Sequence, residues 1–241
     1  MKSAEPRKPL KDMMADCTEA TKKDFEFEYQ LMRNIAGINI DLFVLIFDRA
    51  ITNSLELAIA ILSVKNFRLL QCIDDCIFNG YYEAGMTLMR ILYENLLLME
   101  YFSYNEKEAG KWLAGKKLKA GYIRSKVGKD SKIYSLLSDY YTHANVESLL
   151  PLTRLSDDPQ KLNLYLYPEY NRENAKFGLY LSIAYGWLNN LHLQYTFRGY
   201  LWENEDWKQR FIEWNEIVIK YIEERLIEKS AIKFEFAEKL P

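Results

Sequence analysis

Hydrophobic positions recur every three or four residues over most of this chain, a spacing typical of amphipathic helices. The segment 81–104 departs from that pattern, because two of its faces are apolar except at Arg90 and Glu94. A helix that is hydrophobic nearly all round belongs in the interior of a helical protein. The pattern therefore predicts a central helix near 81–104.

A second central helix is predicted near 172–198. Its apolar positions alternate at intervals of four and three residues, and Asn171 precedes them as a candidate N-cap. On another face, Gly178, Ser182 and Gly186 follow one another every four residues. Small side chains in such a row let a neighbouring helix approach closely. We therefore expect a tight helix–helix contact along this row.

Other boundaries follow from stop and start signals. We expect one helix to end at Gly37, the next to begin with Asn39 as its cap and run to about residue 64, and a single basic helix to span 105–126. A short helix is predicted over 130–143. Three prolines then predict an irregular stretch over 144–170.

These segments together predict an all-α fold: a single-domain helical bundle of six or seven helices. The expected organisation is a flexible N-terminal tail at 1–16, the bundle domain at 17–230 and a C-terminal tail at 231–241. Composition agrees, since 49% of the 241 residues are hydrophobic, 27% are charged, and only ten are glycine and six proline. Such a shortage of turn residues argues against an all-β protein.

Net charge and cysteine content indicate the cellular compartment in which we expect the protein. The net charge of −2 provides no overall field to attract nucleic acid or an anionic membrane. Three cysteines are too few for a disulfide framework, and the N-terminal residues contain no apolar signal segment. We expect a cytoplasmic protein that does not associate with membranes.

Motifs for common chemistry are missing from the sequence. There is no P-loop, dinucleotide-binding, zinc-protease or nucleophile-elbow pattern. Two histidines and three cysteines offer few metal ligands. We therefore expect no metal and no cofactor, and assign no catalytic residue.

Arg90 and Glu94 give the strongest signal, because they lie four residues apart within an almost wholly apolar helix. If both charges are desolvated, each must be paired, and the Arg-before-Glu order favours additional partners outside the helix. One interpretation is a structural clamp that fixes helix register. The other is a preset polar centre that binds a substrate or an anion. On the short helix that follows, Tyr134, Ser138 and His143 would complete such a pocket by facing the charged pair.

Two strings in this region resemble a bacterial all-helical family of unknown function. The string AGMTLMRILYENLLLMEYF at 84–102 resembles that family's RSLxE helix, and YSLLSDYYTH at 134–143 resembles its second motif, YxxLS followed by His. In outline the family is similar to the HEPN helical domains, whose active members are metal-independent RNases. The resemblance implies a pocket formed by Arg90, Glu94, Tyr134, Ser138 and His143.

A basic run follows between the two motifs, and its candidate nucleic-acid face consists of Lys116, Lys117, Lys119, Arg124 and Lys126. A solvated helix face, or a surface attracted to an acidic one within the fold or across a dimer, would give the same pattern. We therefore carry two hypotheses. The first is a non-catalytic module that binds a small molecule or a protein, with a homodimer among its expected assemblies. The alternative is a HEPN-like metal-independent endoribonuclease or RNA-binding protein of a stress or defence system, with Arg90 stabilising an anion and His143 as acid or base.

Overall fold

Helices dominate the computed structural model, which describes residues 8–128, 132–139, 153–155, 162–164 and 167–224. Six of the helices in these ranges are 15 to 25 residues long, and the others are single short segments of four or eight. In chain order the elements are α1 Leu10–Asp24, α2 Glu26–Phe47, α3 Ser54–Phe78, α4 Tyr82–Tyr104, α5 Glu106–Leu113, α6 Ala120–Val127, α7 Lys132–Asp139, β1 Thr153–Leu155, β2 Leu162–Leu164, α8 Arg172–Thr196, α9 Arg198–Leu201 and α10 Glu205–Ile222. The predicted all-α helical bundle is confirmed.

The centre of the bundle is formed by α3, α4 and α8, and α2 packs against α8. Every residue of α8 from Gly178 to Asn190 is buried, so this helix has no solvent face over that length. Its start is fixed by Asn171, whose side chain accepts a hydrogen bond from the backbone N–H of Asn174 at 3.0 Å. The two predicted central helices are therefore confirmed, and α3 joins them.

The row of small residues on α8 allows the predicted close approach. A Cβ atom added at Gly178 would lie 2.6 Å from Ile77 Cδ1 of α3, and one at Gly186 would lie 3.1 Å from Ile35 Cγ2 of α2. Real Cβ atoms do not come as near as the first of these distances, so any side chain at position 178 would force Ile77 to shift. Ile77 and Ile35 are buried against α8 because Gly178 and Gly186 have no side chains at these contacts.

The predicted boundary at Gly37 and Asn39 is wrong, because α2 continues through both residues. Gly37 is exposed, where a helical glycine costs only about 1 kcal/mol relative to alanine. Asn39 is buried and donates a hydrogen bond from its side-chain amide to Asn190. The break falls at 48–53 instead, where Asn53 caps α3 by accepting from the backbone N–H of Glu56 at 2.9 Å.

The single basic helix predicted over 105–126 is also wrong. Gly115 adopts a left-handed φ of 96° and ends α5, and the N–H groups of Gly115 and Lys116 bond back to Trp112 and Lys111. These two backbone bonds form a Schellman motif, which satisfies carbonyls at the end of a helix. The chain then continues through 116–119 before α6 begins.

Several predicted boundaries fall near the limits of the described residues. Helix α1 begins at Leu10, inside the predicted N-terminal tail, whereas the predicted C-terminal tail at 231–241 lies outside the described residues. Within the stretch predicted to be irregular, β1 and β2 pair antiparallel, with Arg154 opposite Asn163. Three-residue strands are too short to leave a readable alternation in a sequence.

Helix α2 is long and apolar enough to cross a membrane by length and composition alone, the one such helix in the described ranges. Its most apolar window has a mean hydropathy of 1.3, and 39% of that window is buried inside the protein. Its buried residues include Leu31, Ile35, Ile38 and Leu42, and the helix packs against α8. The core helix of a soluble protein passes the same test.

Candidate functional site

Arg90 and Glu94 lie on the outer side of α4 rather than deep in the bundle. The side chains are 18% and 33% exposed, and Arg90 Nε donates to Glu94 Oε1 at 3.2 Å. Neighbouring Ile91 is 37% exposed, whereas Met89 and Leu92 are fully buried. Full desolvation of both charges, the condition considered from the sequence, is therefore not met, and solvent reaches this pair.

Arg90 has a further partner on α7, the short helix that packs against α4. Its Nη2 atom donates to the Tyr134 hydroxyl at 2.8 Å, and its guanidinium carbon lies 5.0 Å from the centre of the Tyr134 ring. Arg124 of α6 approaches the same ring more closely, with its guanidinium carbon 3.6 Å from the ring centre. We call Arg90, Glu94, Arg124 and Tyr134 the Arg–Tyr cluster.

Charge is unbalanced within the Arg–Tyr cluster. Two guanidinium groups share one tyrosine ring, and the single carboxylate pairs with Arg90. Arg124 Nε is buried and has no hydrogen-bond acceptor in the part of the chain that the structure describes. Because arginine carries five donors and no acceptor, the cluster has capacity for a further anionic or carbonyl oxygen.

The other residues of the predicted pocket are placed less completely. Ser138 lies one turn beyond Tyr134 on α7 and is only 3% exposed, so it belongs to the buried side of that helix. His143 lies outside the described residues. The structure thus brings together Arg90, Glu94 and Tyr134 and adds Arg124, which the sequence had placed on a nucleic-acid face.

The remaining residues of that predicted face do not form a continuous row on one helix. Lys116 follows Gly115 and pairs with Glu108 at 2.6 Å, while Lys111 holds the other oxygen of the same carboxylate at 2.6 Å. These two ammonium groups lower the pKa of Glu108. Lys117 and Lys119 are exposed between α5 and α6, and Lys126 Nζ lies 5.6 Å from the centre of the Tyr122 ring.

A second polar group lies inside the bundle core. Asn95 donates to Asn66 Oδ1 at 2.8 Å, and Asn66 donates to Asn189 Oδ1 at 3.1 Å. Asn190 in turn donates to the backbone carbonyl of Ile35 at 3.0 Å and accepts from Asn39. We call these five asparagines the amide ladder. It consists of two separate runs of hydrogen bonds, one joining α4, α3 and α8 and the other joining α2 and α8, which meet at the adjacent residues Asn189 and Asn190. Each run fixes how its helices align.

Groups of three or more side chains suited to a metal ion do not occur in the described ranges. Comparison of the chain with protein-family models, curated proteins and solved structures gives no match. The resemblance to a HEPN-like bacterial family therefore stays a prediction.

Proposed function

We propose that the protein is a helical ligand-binding module that holds an anionic group of its ligand at the Arg–Tyr cluster. The observation that carries this proposal is the pair of guanidinium groups on one ring, with a single carboxylate to balance them. Arginine binds phosphate and carboxylate groups through parallel N–H donors. A small phosphorylated or carboxylated molecule is thus the ligand class that fits.

Preorganisation strengthens this argument. Arg124 lies over the Tyr134 ring at 3.6 Å, and Arg90 is held by both Glu94 and the Tyr134 hydroxyl. Side chains fixed before binding lose less conformational entropy when the ligand arrives. Partial exposure of the Arg90–Glu94 pair leaves the anion a route from solvent. We expect binding without catalytic turnover.

The experiment is a calorimetric titration with pyrophosphate and with citrate at constant ionic strength. Arg124→Gln removes the charge that lacks a carboxylate partner, and we expect at least about a tenfold loss of affinity, since charged hydrogen bonds contribute about 1.5–3 kcal/mol. Arg68→Gln is the matched control, because Arg68 is exposed on α3. Equal affinities in the two variants would refute the proposal.

A short single-stranded RNA in the same titration tests the alternative function. The proposal expects RNA to bind no tighter than ~10⁻⁴–10⁻⁶ M at physiological salt, the range of non-specific contacts. Tighter binding that falls steeply with salt and is lost in Lys117→Gln/Lys119→Gln would instead favour the RNA-binding alternative. Both lysines are exposed, so these substitutions leave the core unchanged.

A further inference from the structure

A small cleft lies between α2 and α3, away from the Arg–Tyr cluster, with α8 as its floor. Its walls include Ile35 and Asn39 of α2 and Phe67 and Asp74 of α3, and Ser182 and Gly186 form the base. The cavity measures about 30 Å³. A water molecule needs only ~10–15 Å³ on this measure, so a head group of about two heavy atoms fits.

Three polar atoms of this cleft are buried: Asn39 Oδ1, Asp74 Oδ1 and Ser182 Oγ. None has a well-formed hydrogen bond within the described residues, and the only polar neighbours among the three that interact are Ser182 and the Asp74 carboxyl. The Asn39 amide is oriented by its own donor, because its Nδ2 group bonds to Asn190 and the carbonyl oxygen is left over. Buried polar atoms without partners are rare in proteins, and each calls for a bound water, ion or ligand. Asn39 Oδ1 only accepts hydrogen bonds, and the Asp74 carboxyl only accepts them when it is ionised, so the partner that fits the ionised site is a donor.

Charge points to the same kind of partner. Asp74 is the one titratable side chain in the cleft lining, to which α2 and α8 contribute no charged group, and no cation of the described chain pairs with it. The pKa of Asp74 is raised to about 7, chiefly because the carboxyl is desolvated; a hydrogen bond with Ser182 opposes this rise and the charge of Asp75 adds to it. A bound cation would remove the penalty of burying this carboxylate.

We propose that the cleft binds the ammonium group of a small primary amine, with Asp74 as its counter-ion and Asn39 Oδ1 and Ser182 Oγ as the other two acceptors. Three oxygens match the three N–H donors of a primary ammonium group. A cleft of about 30 Å³ leaves no room for the waters that would complete the six or more oxygen ligands of Ca²⁺ or Mg²⁺. The apolar walls at Ile35 and Phe67 suit the carbon chain that follows the nitrogen.

The test compares three probes by calorimetry at constant ionic strength and pH 8: propylammonium, tetramethylammonium and 1-propanol. We expect saturable binding of propylammonium alone, since tetramethylammonium has no N–H donor and propanol has no charge. Its affinity is expected to fall about tenfold from pH 8 to pH 6, because a carboxyl that titrates near 7 is then mostly protonated. Equal binding of any two probes would overturn the proposal, as would no saturable binding of propylammonium at pH 8.

Variants locate the site. Asp74→Asn should abolish propylammonium binding, whereas Asp75→Asn, one residue further on the exposed side of α3, should leave it within about twofold. Ser182→Ala, which keeps the carboxylate, should weaken binding about fivefold by removing one acceptor. Retained binding in Asp74→Asn would overturn the assignment. A uniform loss in all three variants, Asp75→Asn included, would do so as well.

Discussion

Replacing Gly178 by alanine tests the close contact between α8 and α3. The new methyl group would lie 2.6 Å from Ile77 Cδ1 and 2.9 Å from Ile77 Cγ1, with Met86 Cε at 3.1 Å. Ile77 and Met86 are fully buried, so neither side chain can turn towards solvent to make room. Forcing an extra carbon into a well-packed core costs about 1–3 kcal/mol.

A matched variant isolates this packing effect. Gly37 also lies inside a long helix, but a methyl group added there meets nothing within 4 Å. Both substitutions gain about 0.8–1.0 kcal/mol of helix propensity. That gain cancels in the comparison, so Gly37→Ala should exceed Gly178→Ala in unfolding free energy by the overpacking term alone, about 1–3 kcal/mol.

Urea unfolding followed by circular dichroism measures the difference directly. Equal slopes against urea concentration would show that both variants expose the same surface, so the midpoints can be compared. In thermal unfolding the expected gap is about 2–4 °C per kcal/mol for a chain of this size. A Gly178→Ala protein as stable as Gly37→Ala would refute the close packing of α8 on α3.

Three further predictions concern the polar groups. Asn66→Ala should lower the free energy of unfolding by at least about 2 kcal/mol, because Asn95 and Asn189 each lose a hydrogen-bond partner. Ser63→Ala is the control and should be neutral or stabilising, since the buried Ser63 hydroxyl has no hydrogen bond in the described chain. Asp74 binds its proton more tightly when folded, so the wild type should lose on the order of 3 kcal/mol of stability relative to Asp74→Asn as pH rises from 4 to 8; a flat difference would contradict this. Arg90→Ala should lower the free energy of unfolding by only about 1–2 kcal/mol, since the Arg90–Glu94 ion pair is partly exposed. A measured loss of about 4 kcal/mol or more would show instead that the pair behaves as a fully buried one.

The sequence predicted those features whose signals lie within a few neighbouring residues. Asn171 at the start of α8 and the small residues at 178, 182 and 186 carry their structural meaning locally, through a cap and a close contact. The break at 48–53 has no glycine or proline to mark it, and Asn53 falls inside the helix that the sequence predicts from Asn39 to about residue 64. Its capping role emerges only because the chain turns there.

The structural roles of asparagines were the hardest to predict from the sequence. Asn39 is a good cap by composition, yet the helix passes through it and its amide meets Asn190 far along the chain. Asn66 and Asn95 likewise form hydrogen bonds through their side-chain amides to asparagines on other helices. Cap and core asparagines differ in their distant partners, which spacing within one helix does not reveal.

The sequence showed one of the two charged sites and missed the other. Arg90 and Glu94 stood out because they interrupt an apolar helix, and the structure gives them partners, Tyr134 among them, and access to solvent. Asp74 did not stand out, because it sits beside Asp75 in what reads as an ordinary polar turn of α3. Successive helical residues point about 100° apart, so one of two adjacent aspartates faces solvent while the other turns inward. What makes Asp74 distinctive is Gly186 and Ser182 on α8, which leave the space into which its carboxylate points. A charge that no opposite charge balances is therefore the stronger indication of a ligand. Glu94 balances Arg90, whereas among the described residues no carboxylate pairs with Arg124 and no cation pairs with Asp74.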